Sequence, residues 1–222
     1  MMRQLIYAFL LLILLPVLSH AQVEGVLHKR FGLRVGANIS TLSSAPTGDN
    51  ISSKGGIYAA MYHQFRIRHN IGLSWELGFS MLGCKNNYYS GYFDTAGSSA
   101  TTTLNLSYLT MPVSFKLYLS KAFTLQLGPY GSLLLSAVEK GTIYPPNGYN
   151  LQSYRQQLNS TLSTWDTGIQ GGIGIEGRSG INFTLKYYAS VMGVYPSLQQ
   201  VSGIVMRNQF FQFTMGYSFK GR

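Results

Sequence analysis

Charge is scarce in this chain. Of 222 residues only 11% are charged, with 7 acids against 17 lysines and arginines, about half the usual share for a soluble domain. So few charges cannot coat both faces of a sheet, so the sheets must be buried on both sides or meet lipid. Cysteine is almost missing. Cys84 stands alone, which excludes an intrachain disulfide; with no base positioned beside it, it reads as a small buried or loop-base residue. After residue 21 no run of 18 consecutive apolar residues occurs, which excludes helical membrane spans there. Histidine is rare too. His28, His63 and His69 show no metal-ligand spacing with Asp or Glu, so no metal or other cofactor is expected. None has a serine and an acid placed to build a nucleophile either, so no catalytic residue is expected.

What is present begins with an export signal. Arg3 supplies a positive n-region, residues 5–18 are apolar apart from Tyr7 and Pro16, and Ser19-His20-Ala21 puts small residues at −3 and −1 before Gln22. Residues 1–21 are therefore expected to be a cleaved secretory signal, followed by a short periplasmic segment at 22–30. Loss of Arg3 lowers the formal charge from +10 to +9. The remainder, rich in Tyr (16), Phe (12) and Gly (25), is long enough for one domain. That domain is expected at 31–219, with 220–222 as a C-terminal tail and no second module.

The dominant pattern has period two. In 208–219 the large side chains Phe211, Phe213, Met215, Tyr217 and Phe219 alternate with Gln212, Thr214, Gly216 and Ser218, one greasy and one small polar face. Eight such strands are read, at 31–42, 54–65, 71–82, 103–119, 123–138, 165–177, 181–191 and 208–219. In the fourth, Leu104 and Leu106 have the opposite parity to Leu109, Met111 and Val113, which suggests a bulge near Ser107-Tyr108. The connections at 66–70, 120–122 and 178–180 are short. Those at 43–53, 83–102, 139–164 and 193–207 are long, rich in Tyr, Ser, Thr, Gly and Asn, and are assigned no fixed structure.

The expected fold is all-β: an eight-stranded antiparallel up-and-down transmembrane β-barrel with short periplasmic turns and long extracellular loops. A soluble barrel shows the same alternation with the greasy face inside. Here the polar face is Gly, Ser, Thr, Asn, Gln and Tyr rather than Lys and Glu, which suits a crowded lumen. The apolar face carries more bulk than an eight-stranded interior holds. The outer membrane is then the location and its lipids a partner. The narrow interior excludes bulk diffusion of the porin kind.

Five charges fall on the predicted inner face, Arg34, Glu76, Lys116, Glu176 and Lys186, all within about six residues of the short-turn ends. They read mainly as a structural plug of ion pairs, since buried charges need partners; a proton or ion path is the alternative. Eight more cations gather at the same rim (Lys29, Arg30, Arg66, Arg68, Lys121, Arg178, Lys220 and Arg222), suited to anionic head groups or a periplasmic partner. Nucleic acid is not expected, because the basic residues are not interleaved with an aromatic platform.

Phe31-Gly-Leu-Arg-Val-Gly-Ala-Asn-Ile-Ser-Thr-Leu42, Tyr108-Leu-Thr-Met-Pro-Val-Ser-Phe-Lys116, Leu127-Gly-Pro-Tyr130 and the glycine-rich stretch 168–174 together resemble the PorT-type outer-membrane β-barrel proteins of Bacteroidota. Thr110 stands where that family often has an acid, so no role of that acid transfers. The resemblance implies the barrel, and through one member an accessory part in type IX protein secretion. The last strand also resembles the signal read by the barrel-assembly machinery, with Gly216, Tyr217 and Phe219 as its residues and that machinery as a partner during biogenesis. The function expected is that of a monomeric, non-enzymatic component of the cell envelope, structural or interacting with envelope or secretion proteins. The alternatives are a narrow ion or small-solute channel and a lipid-modifying enzyme.

Overall fold

A computed structural model describes residues 28–43, 50–89, 99–144, 152–177, 179–195 and 205–220. The expected signal at 1–21, most of the segment 22–30, Arg178 and the end of the tail lie outside the described residues. The strands are β1 (His28–Ser43), β2 (Asn50–Arg66), β3 (Ile71–Tyr89), β4 (Ser99–Tyr118), β5 (Phe123–Tyr144), β6 (Gln152–Gln157), β7 (Trp165–Glu176), β8 (Ile181–Ser190) and β9 (Arg207–Lys220). Each pairs antiparallel with its neighbours. Eight of them, all but β6, form a closed ring. Closure comes from β1 against β9, with Phe31 opposite Phe219, Leu33 opposite Tyr217 and Val35 opposite Met215, which removes both sheet edges.

One parity holds in the membrane-crossing part of the ring. Odd-numbered side chains such as Leu33, Val35, Ile39, Phe211, Phe213 and Met215 are about half exposed on the outside. Even-numbered ones such as Arg34, Asn38, Glu76, Gln212 and Thr214 are buried inside. A continuous belt of exposed Leu, Ile, Val, Met and Phe around a polar, buried interior is stable only against hydrocarbon. Among the described residues no helix is long and apolar enough to cross a membrane; the crossing is made by strands.

Size complementarity packs the lumen. In the ring Tyr62 lies opposite Gly32 and Tyr130 opposite Gly168, and above it the same fit sets Tyr154 of β6 opposite Gly141 of β5. A Cβ added at these glycines would come within 2.4–2.7 Å of the facing tyrosine ring. The ring of one strand thus fills the space its partner leaves empty. Gly180, at φ 95° in the turn before β8, serves a different need, since that backbone conformation disfavours any side chain.

Two sequence expectations need correction. The bulge near Ser107-Tyr108 is present in the β4–β5 pairing, but the extra residue is Leu135 of β5: Ser107 pairs with Ser136 and Tyr108 with Leu134. β4 keeps its parity, and Leu104 and Leu106 point into the lumen with Tyr108. Their apolar character reflects an apolar upper lumen, not a change of face. The second correction concerns 139–164, read as a loop without fixed structure. β5 continues to Tyr144 and pairs with β6 as a hairpin above the ring, where the Tyr154 hydroxyl donates to the Glu139 carboxylate at 2.7 Å. β2, β3 and β4 also extend further toward the loops than alternation alone indicated.

Pro112 and Pro129 mark two places where the wall is unpaired; a third, without proline, lies in the β2–β3 ladder between Ser53–Cys84 and Tyr58–Ser80. The β3–β4 ladder skips between Trp75–Val113 and Gly78–Thr110, and the β4–β5 ladder between Pro112–Tyr130 and Phe115–Leu127. Proline has no N–H to give a neighbouring strand. The Val113 carbonyl, left without a ladder donor there, accepts instead from Gln170 Nε2 of β7 at 3.3 Å, reaching past Gly128 of β5; the same amide donates to Ser114 at 2.7 Å.

Candidate functional site in the barrel lumen

The five inward charges predicted from alternation meet in the short-turn half. Glu76 Oε1 accepts from Arg34 Nη1 at 2.5 Å and from Lys186 Nζ at 2.7 Å, and its Oε2 accepts from the Tyr58 hydroxyl at 2.9 Å. Arg34 also donates to Asn182 Oδ1 at 3.0 Å and lies 4.5 Å from the centre of the Tyr62 ring. Lower down, Lys116 Nζ bonds Glu176 Oε1 at 2.9 Å and Gln64 Oε1 at 2.7 Å. Glu76, Arg34, Lys116 and Lys186 are almost wholly buried. The structure therefore sorts the cluster into a triad and a pair drawn from five strands. Each acid has a cation, and the cations are tied further by neutral amides and hydroxyls, which is the condition for tolerating buried ions.

Above the ions lies a neutral belt. Asn38 Nδ2 donates to Ser80 at 2.9 Å, Gln212 Nε2 donates to Asn38 Oδ1 at 3.1 Å, and the Tyr188 hydroxyl donates to Gln212 Oε1 at 3.1 Å. Higher still the lumen turns apolar. Leu42, Leu82, Leu104, Leu106, Cys84 and Phe210 cluster there and are covered from the loops by Leu158, Leu162, Val194 and Met206. The cover is tied down by backbone bonds, Leu158 N–H to Ala137 at 3.0 Å, Ser163 N–H to Val194 at 2.9 Å and Val194 N–H to Met206 at 2.7 Å. Cys84 is thus a buried member of an apolar cluster.

Asp166 was missed by the sequence reading. It has the inner parity of β7, which was the available signal, but no cation. It accepts from Ser190 and, at 2.9 Å, from Asn208 Nδ2, and Asn208 also donates to the Tyr108 hydroxyl at 3.3 Å. It anchors β7, β8 and β9 to one another just below the apolar cap. His63 faces outward, ring against Phe65 and Trp75, within a lower aromatic girdle.

The three residues of the expected assembly signal occupy both faces of β9. Gly216 is inward, opposite Arg34 and Asn182. A Cβ there would sit 2.7 Å from Asn182 Oδ1, so Gly216 makes room for the amide that holds Arg34. Tyr217 and Phe219 are outward and meet edge to face with centroids 5.4 Å apart.

A family model described as "Outer membrane protein beta-barrel domain" matches residues 21–195, more than half of the chain. The chain belongs to that family. It is accordingly an outer-membrane β-barrel, with the short turns on the periplasmic side as in barrels of this layout. Comparison with the curated proteins finds no match. Solved structures similar to the chain include Ail, the attachment invasion locus protein of Yersinia pestis, at 9% identity and TM-score 0.44, covering 87% of this chain and 100% of that one. Neisserial surface protein A is 11% identical, with TM-score 0.40 and coverages of 85% and 97%. OprG from Pseudomonas aeruginosa is 14% identical, with TM-score 0.37 and coverages of 90% and 100%. At these values the likeness carries no weight; fold and location rest on the strand register and the family match.

Proposed function

We propose that this protein is a closed, non-enzymatic envelope barrel, a structural or interaction component that works through its rims and loops rather than through its lumen. The observation that supports this reading is the double closure of the interior: an ion plug spanning the short-turn half and an apolar cap seated on the long-loop half. An ion crossing the barrel would have to part the Arg34–Glu76–Lys186 triad and then pass the buried apolar cluster of the upper lumen, both costly steps. Among the described residues no group of three or more His, Cys, Asp or Glu could hold a metal ion. The chemistry of the inward groups, paired ions and mutually bonded amides, is that of a filled core. Export through a cleaved signal at residues 1–21, recognition of Gly216, Tyr217 and Phe219 by the barrel-assembly machinery, membership of the PorT-type group and an accessory part in secretion belong to this reading. The Tyr108–Lys116 motif supports the PorT assignment. Its Pro112 and Lys116 shape the wall and the plug, so the motif reflects how this barrel is built.

The test is conductance in planar bilayers. The natural barrel is expected to give no stable open level. A steady, step-like conductance abolished by Glu76→Gln together with Lys186→Met would replace the closed barrel by a narrow channel. Lipid A of unaltered mass in a deletion strain is the matching expectation for a non-enzyme.

A further inference from the structure

Below the ion plug, at the short-turn mouth, lies a cavity of about 190 Å³ lined by Arg30, Gln64, Arg66, Tyr118, Lys121 and Glu176. That is about six water volumes at roughly 30 Å³ each, room for a tetrahedral oxyanion and its hydration. The lining brings together three cations and one carboxylate, and that carboxylate is already engaged by Lys116 at 2.9 Å. The mouth is therefore strongly positive, with no acid free to neutralise it among the residues that line it.

Arg66 is held in place there. Its guanidinium lies 4.0 Å over the centre of the Tyr118 ring, and Nη2 donates to the His69 carbonyl at 2.8 Å. Gly72 leaves the space for that ring, since a Cβ would sit 3.1 Å from it. A guanidinium stacked on a ring and oriented by a backbone carbonyl, at the edge of a cavity lined by two further cations, is an arrangement that a phosphate completes. The two other cations come from separate elements, Arg30 from β1 and Lys121 from the turn between β4 and β5, so the cavity is a convergence of the fold rather than one basic run.

We propose that this mouth is a binding site for a phosphate group presented from the periplasmic side, with Arg66 as the oriented donor and Arg30 and Lys121 as flanking charges. The phosphate is either that of a soluble ester or that of an anionic lipid head group reaching over the rim. The floor of the site is the plug's lower pair, through Gln64 and Glu176, and its three cations lie on the mouth side of that pair.

The test is calorimetric titration of the whole barrel, in nanodiscs of phosphatidylcholine, with inorganic phosphate. Saturable binding is expected in the natural chain. In Arg66→Met it should weaken about tenfold or more, the loss of one charge-assisted contact, while Arg68→Met, a rim cation outside the cavity, should bind as the natural chain does. Lys121→Met, exposed in a turn, supplies a second reading should Arg66→Met fail to fold. Repeating the titration in discs doped with phosphatidylglycerol separates the sources. Loss of phosphate binding there supports the site with a head group as occupant, and unchanged binding supports it with a soluble ester. No binding of phosphate in any disc, or equal weakening by Arg68→Met and the cavity variants, overturns the proposal.

Discussion

In the short-turn half of the barrel the lumen is held by ions; in the long-loop half it is held by leucine, tyrosine and phenylalanine. The outer surface scarcely registers the change, because hydrocarbon asks the same of every strand across the apolar belt between the aromatic girdles. The inside is free to differ, and it does so for a reason of connection. Short turns fix the strand ends closely, so a lysine or carboxylate there meets its partner in one geometry, which an ion pair requires. Long loops fix little, so closure at that end relies on non-directional burial, which tolerates small displacements. The loop residues Leu158 and Leu162, one turn apart with Leu162 N–H bonded to the Leu158 carbonyl at 3.1 Å, provide it.

The comparison can be broken from its most demanding member. Replacing Glu76 by Gln leaves Arg34 and Lys186 buried without a carboxylate. The loss should be about 3–5 kcal/mol, as for a broken buried pair, read as a lowered urea midpoint in a heat-modifiable gel-shift assay. Restoration of only part of it by adding Lys186→Met, with Arg34 still facing no carboxylate, would show that the unpaired charges, not the lost contacts, are the cost. Phe213→Arg tests the shared outer face. It puts a cation on a side chain that is 55% exposed to lipid and should cost about 2–4 kcal/mol near the midplane, seen as failure to assemble in membranes; normal insertion would show that β9 does not face lipid there. In the upper half Leu106→Ala should cost about 2–3 kcal/mol, toward the low end for buried leucine because the loop cover can settle into the space. A loss as large as that of Glu76→Gln would mean that the cap is as rigid as the plug. Tyr188→Phe, which removes only the bond to Gln212, should cost about 1 kcal/mol and leave the gel shift of the folded barrel intact.

Much of the wall was legible. The period of two, the even number of strands and the alternation of short and long connections led to the closed ring. Inward parity placed Arg34, Glu76, Lys116, Glu176 and Lys186 on one face before any contact was known. The same parity was available for Asp166 but had no cation to draw notice to it. Leu104 and Leu106 misled, because an apolar residue on the polar face looks like a register slip until the upper lumen is known to be apolar. β6 was hidden for a related reason: residues 152–157 are polar and show no alternation, and they become a strand only because β5 runs on past the ring and offers an edge.

Alternation alone determined that this chain is a sheet with a lipid face, since period two sets which side chains share a surface whatever their partners. Pairing was decided only in three dimensions. Lys186 meets Glu76 because the ring brings β8 to β3 across the lumen, and Lys116 meets Glu176 because it sets β4 and β7 on either side of β5; an ion pair forms where distance allows, not where sequence order suggests. The same holds at the mouth. Arg30, Arg66 and Lys121 are a scatter of basic residues along the chain, and closing the barrel turns them into one cavity.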